Sequence, residues 1–144
     1  NAYDNQFDLL YITIGVFGWL KDLETFFSIM SRLLKPGGQI FIYEMHPILE
    51  LFEEDSGGTI RNDYFNKEPY FTENENDYMN PEKVIELPSY WFHHSLSELL
   101  GSLIKHDFNI IHFDEYAHDI SGRGEFLASQ EKRPPMCFSL IASR

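Results

Sequence analysis

The side chains best suited to moving protons in this 144-residue chain are its histidines, and four of the six stand at segment ends: His46, His93, His94 and His118. His46 sits in Glu44-Met-His-Pro47. Imidazole titrates near neutrality, so His46 is a candidate general base; the alternative is a hydrogen-bonded histidine shaping the Pro47 turn. Glu44, Tyr90, Trp91, Phe92, His93 and His94 are candidate substrate-lining residues, the aromatic triplet serving as a cover that excludes water or as an anchor against the core. A metal held by these histidines and Glu44 would have suitable ligand chemistry for zinc or iron, but the spacings match no compact ligand motif, and no metal is expected. Cys137 lies within an apolar run, where an inert buried thiol is the default, and Ser56-Gly-Gly58 lacks the strand-turn-helix setting of a nucleophile elbow.

The elements that must position these groups follow from periodicity. Phe7–Ile14 is β-favouring and apolar on both alternating faces, the pattern of a strand in a parallel sheet. Gly15 and Gly18 interrupt it, and Asp22 can cap a helix whose apolar stripe is Leu23, Phe26, Phe27, Met30, Leu33 and Leu34. Lys35-Pro-Gly-Gly38 should end that helix, and residues 39–45 form a second apolar strand joined by a right-handed crossover. Ser95-Leu-Ser-Glu98 has capping-box spacing ahead of Leu96, Leu99, Leu100, Leu103 and Ile104. Residues 109–116 and 136–142 read as two further strands with no helical pattern between them, so they should pair antiparallel. Ligands of open α/β sheets bind beyond the carboxyl ends of the parallel strands, which puts His46, His93, His94 and His118 at that end and His106 at the opposite edge.

Residues 47–92 differ in composition. Eleven acidic and three basic residues lie between 50 and 86, so about two thirds of the net charge of −12 sits in an aromatic-rich insertion. A stretch of that length inside a compact domain is usually a functional lid or disordered, and the aromatic content favours a lid. The acidic balance, with a pI near 4.7, argues against nucleic acid as a partner. No apolar run approaches the ~20 residues of a membrane helix. A single cysteine excludes an intrachain disulfide framework, Asn1–Phe7 does not read as a signal peptide, and the expected setting is the cytoplasm. The chain starts without Met and runs almost at once into a strand, which suggests that it opens in the middle of something larger.

Phe7-Asp-Leu-Leu-Tyr-Ile-Thr13, then Trp19-Leu-Lys-Asp-Leu23, then Arg32-Leu-Leu-Lys-Pro-Gly-Gly-Gln-Ile-Phe-Ile42 resemble a class I S-adenosylmethionine-dependent methyltransferase. The similarity is to the small-molecule branch that includes ubiquinone and menaquinone biosynthesis enzymes. The resemblance implies an α/β, Rossmann-like sheet of which only the C-terminal half is present: strands four, five, seven and six in spatial order, the seventh antiparallel, with the long insertion after the second strand of this chain. Residues 1–144 would then be a partial domain lacking the N-terminal half, whose Gly-rich loop and acidic residue hold the cofactor. It further implies S-adenosylmethionine bound only with that missing half, Thr13, Ile14 and Gly15 beside the cofactor's methionine and transferred methyl, His46 as the base for the acceptor, and a small-molecule substrate. An uncovered strand at residues 7–14 invites either the missing half or a second copy, hence a homo-oligomer. The alternative function is a noncatalytic half-domain that self-associates through that strand.

Overall fold

In the computed structural model the chain is described over residues 2–53, 56–77 and 79–144; Asn1, the acidic Glu54 and Asp55, and Tyr78 of the insertion lie outside the described residues. Strand β1 (Phe7–Thr13) leads through a single 3-10 turn (Phe17–Trp19) into α1 (Leu23–Leu33), which is followed by β2 (Leu34–Met45). The helix starts where Asp22 places a carboxylate oxygen 3.0 Å from Glu24 N and 3.2 Å from Thr25 N, satisfying two N–H groups that have no partner within the helix. Its apolar stripe buries Leu23 and Phe27.

Strand β2 begins five residues before the expected Gln39. Leu34 pairs with Phe7, and the next pair is Leu9 with Gln39, so Lys35-Pro-Gly-Gly38 is accommodated as a bulge within the strand pair rather than as a free turn. Two glycines make this possible. Gly37 has φ +80°, and a Cβ on Gly38 would lie 2.9 Å from the Lys35 carbonyl oxygen and 3.1 Å from that of Phe7.

After a 3-10 turn (Pro47–Leu51), the insertion contains its own short strands: β3 (Tyr70–Thr72) pairs with β6 (Ser89–Trp91), and β4 (Glu75–Asp77) with β5 (Asn80–Ile85), both antiparallel. The insertion thus holds two antiparallel strand pairs that its composition does not announce. The cause is cross-strand pairing of aromatics, such as Phe71 with Tyr90 at 5.3 Å between ring centroids, which a periodicity count does not register.

Regular structure then returns in α2 (Leu96–Lys105), β7 (Asn109–Tyr116), a one-turn helix α3 (Glu125–Ala128) and β8 (Cys137–Ser143). Ser95 and Glu98 form the expected capping box. Partial burial alone would raise the Glu98 carboxyl, but hydrogen bonds from Lys67 Nζ at 2.6 Å and from Ser95 prevail and lower it to about 2.

The main sheet has the order β1-β2-β8-β7; β1 and β2 are parallel, and β8 runs antiparallel between β2 and β7. The expected antiparallel pairing of the last two strands is therefore present. One face carries Ile12, Ile40, Ile42, Phe138, Leu140 and Ala142, and α1 and α2 close over it with Leu23, Phe27, Leu99 and Leu103 to form the core. On the other face Leu9 is 55% and Tyr11 65% exposed, and Tyr11 stacks on Phe41 at 5.1 Å. Strands β1 and β7 are the two outer strands of the sheet. Among the described residues, no helix is long and apolar enough to cross a membrane.

Candidate functional site

The carboxyl ends of β1 and β2 are tied together by Glu44. Its side chain is 3% exposed; one oxygen accepts from Gly15 N at 2.6 Å and Met45 N at 2.8 Å, the other from Val16 N at 2.9 Å. A buried carboxylate is tolerated where several N–H groups converge on it. Glu44 therefore fixes the loop after β1, in which Gly15 has φ +84°. The loop and Glu44 line a half-open cavity of about 40 Å³ together with Gly18, Trp91, Phe92 and His93. That volume holds one or two waters.

Trp91 fills most of this end. A Cβ on Gly18 would lie 2.2 Å from two carbons of the indole, so only glycine admits the ring. Trp91 meets Trp19 edge to face at 5.2 Å and donates from Nε1 to Glu50 Oε1 at 3.1 Å. Glu50 is itself buried; Arg123 reaches the same oxygen at 2.9 Å while lying 5.7 Å from the indole centroid. Neither Glu50 nor Arg123 carried a sequence signal, because they lie 73 residues apart.

A larger cavity of about 520 Å³ adjoins the first, and the two linings share Phe92, His93 and His94. Tyr90, Lys21 and Lys67 contribute to its wall. His93 is buried, its Nε2 lying 2.6 Å from the Tyr64 carbonyl oxygen and its ring 5.3 Å edge to face from the Tyr64 ring. Tyr64 also accepts at its hydroxyl from Leu96 N at 2.9 Å, linking the insertion to the start of α2. His94 places Nε2 2.6 Å from the Leu20 carbonyl oxygen, and burial holds its ring below the ordinary histidine value.

His46 has a different environment from the one expected of a base. Nδ1 accepts from Ile48 N at 3.1 Å, which caps the Pro47–Leu51 turn, and Nε2 stands 2.9 Å from Glu115 Oε1. Burial lowers its pKa, against the opposing pull of Glu115, so the ring is held neutral with its lone pair already engaged. The Ile48 amide thus occupies the Nδ1 lone pair, and Nε2 faces Glu115 rather than either cavity of His93. His118 lies apart from the cavities of His93, 2.7 Å from Tyr43 Oη and 3.5 Å from Cys137 Sγ. Burial raises the Cys137 thiol, as an inert cysteine requires. Thr13 ends β1 and Ile14 follows it, but neither lines either cavity, whereas Gly15, Glu44, Trp91, Phe92, His93 and His94 come together. His106 caps the far end of α2 against Glu24.

A family model described as a methyltransferase domain matches residues 2–42, the β1-α1-β2 unit. No curated protein matches the chain in sequence. An S-adenosylmethionine dependent methyltransferase from Mesorhizobium loti superposes with a TM-score of 0.59 at 19% identity, over 98% of this chain and 63% of that one. A Methanosarcina mazei protein of the same description gives 0.61 at 16%, over 99% and 61%. The geranyl diphosphate C-methyltransferase of Streptomyces coelicolor A3(2), solved with Mg2+, geranyl diphosphate and S-adenosyl-L-homocysteine, gives 0.57 at 15%, over 98% and 48%. The mixed α/β sheet of this chain thus has the methyltransferase fold, and the chain spans less than two thirds of the length of these structures.

Proposed function

We propose that the chain is the acceptor-side part of a class I S-adenosylmethionine-dependent methyltransferase domain, transferring methyl to a small molecule as the enzymes of the ubiquinone and menaquinone branch do. The observation that carries this reading is the Glu44 clamp on Gly15 and Val16, which holds the loop beyond β1 in one shape at the ligand end of the sheet. The match to residues 2–42 covers Gly15 and Val16, the amide side of that clamp, and the strand order β1-β2-β8-β7 is compatible with the order four, five, seven and six that the resemblance implies. Cytoplasmic residence belongs to the same proposal.

The residues present fit one edge of the cofactor. A Cβ at Gly15 would meet only the Trp91 ring, at 4.0 Å, so a ligand can approach the backbone there. Thr13, Ile14 and Gly15 would hold the methionine end; the bound cofactor supplies an electrophilic methyl on a sulfonium. Glu44 positions the loop, while Trp91 and Phe92 exclude water and orient the acceptor. The resemblance gives the cofactor's remaining contacts to a Gly-rich loop and an acidic residue, and these are assigned to an N-terminal half outside these 144 residues. Titration calorimetry of the chain with S-adenosylmethionine is accordingly expected to give little or no heat. Tight binding by these residues alone would refute the half-domain part of the proposal.

The exposed outer strand favours a second reading, self-association without catalysis. Leu9 and Tyr11 are uncovered on β1, the strand whose outer edge has hydrogen-bonding groups to offer. We expect sedimentation velocity to show a homodimer or larger assembly as concentration rises; a monomer at high concentration would count against it.

A further inference from the structure

We infer that the larger cavity binds a zwitterionic aromatic molecule of the amino-acid class, its carboxylate paired with Lys21 and its ammonium with Glu68. Two lysines and two glutamates line this cavity: Lys21, Lys67, Glu68 and Glu98. One pair is already compensated, since Lys67 Nζ lies 2.6 Å from Glu98 Oε1. Lys21 and Glu68 are exposed, and among the described residues neither side chain has an ion-pair or hydrogen-bond partner, each other included. Asp22, next to Lys21, is committed to the cap of α1, where it accepts from Glu24 N, Thr25 N and the Thr25 hydroxyl.

The backbone beneath each free charge is anchored. Lys21 follows Leu20, whose carbonyl oxygen lies 2.6 Å from His94 Nε2. Glu68 is held by Asn66, which accepts from Glu68 N at 3.0 Å and donates to the Glu68 carbonyl oxygen at 3.0 Å, while the adjoining Lys67 is tied to α2 through Glu98. The wall thus presents one ammonium and one carboxylate from two fixed segments, accessible and uncompensated.

Between them the wall is aromatic. Tyr90 and Phe92, two apart in an extended stretch, both line this cavity, whereas Trp91 between them lines the smaller one. A volume of about 520 Å³ suits a small molecule, whose sites span roughly 300–1,000 Å³. A singly charged ligand would satisfy one wall charge and meet a like charge at the other, and an uncharged one would pair with neither. A ring carrying both signs pairs with both. That this molecule is the methyl acceptor rests on the function proposed above; its binding here does not.

Three ligands with one ring test this on the 15N-labelled 144-residue chain: phenylalanine, 3-phenylpropionate and phenethylamine, which carry both charges, the carboxylate alone and the ammonium alone. Amide 1H–15N spectra should show saturable shifts at Lys21, Glu68 and Phe92, with phenylalanine bound about fivefold more tightly than either of the others, the worth of one further exposed ion pair. Lys21→Gln should bring phenylalanine down to the affinity of phenethylamine, and Glu68→Gln should bring it down to that of 3-phenylpropionate. Neither substitution removes a contact within the chain, so the melting temperature should hold, and the comparison of the three ligands on the wild type stands without the variants. Equal affinities for the three, no saturable response at these amides, or a phenylalanine preference unchanged in both variants would each overturn the proposal. Because no methyl donor is added, these outcomes are independent of the calorimetric result.

Discussion

Glu44→Gln is expected to cost about 2–3 kcal/mol of stability and to open the loop after β1, although the change removes only a charge and alters the side chain's shape very little. The carboxylate accepts three backbone N–H groups with two oxygens. Glutamine has one acceptor oxygen. If that oxygen keeps Gly15 N and Met45 N, the new amide group faces Val16 N, donor against donor. The alternative flip sacrifices two bonds instead of one. Glu44→Ala removes all three and should cost about 4–6 kcal/mol, since each buried N–H left without a partner costs ~1–3 kcal/mol. Urea denaturation at fixed protein concentration measures the order wild type, Gln, Ala; the fixed concentration matters because self-association would add its own stabilisation. Amide exchange at Val16 should accelerate more than at Leu103, deep in the core. A Glu44→Gln variant within 0.5 kcal/mol of wild type would mean that the loop is held by something other than this carboxylate.

The same residue illustrates what a sequence yields and what it withholds. Glu44 is readable as a polar residue at the end of an apolar strand facing the ligand side, but two of its three partners are backbone amides 28 and 29 residues away, and amides have no composition to read. Local signals succeeded where the physics is local. Asp22 and Ser95 cap their helices, and Asn109–Tyr116 forms a strand with the expected bounds, because spacing within one turn or one pleat decides these features. The bulge at Lys35-Pro-Gly-Gly38 failed to register because it depends on Phe7 across the sheet. The two histidines show the limit most clearly. His46 and His93 are both buried at the ligand end, yet one is bound by the neighbouring Ile48 N and the other by the distant Tyr64 carbonyl. Tyr64 lies 29 residues from His93 in a segment whose pattern reads as irregular.

Trp91→Ala should destabilise the chain by about 2–4 kcal/mol, below the upper range for a fully buried tryptophan because this side chain is half-buried. The loss has two sources: apolar area packed against Gly18 and Trp19, and the Nε1 donor to Glu50. Trp91→Phe separates them. It retains much of the ring and removes the donor, leaving Arg123 as the remaining donor to a buried carboxylate, so a cost of about 1–2 kcal/mol is expected. The packing component is checked through Gly18. In the wild-type background Gly18→Ala puts a methyl 2.2 Å from the indole, so either the ring or the loop must move, at about 1–3 kcal/mol. With Trp91 replaced by Ala the clash is gone, and the same substitution should become nearly neutral. The double-mutant cycle therefore should give a coupling of at least ~1 kcal/mol between two residues 73 positions apart in the chain. Simple additivity of the two costs would show that the indole is not what demands glycine at position 18, and that Trp91 does not seal the end of β1 in solution.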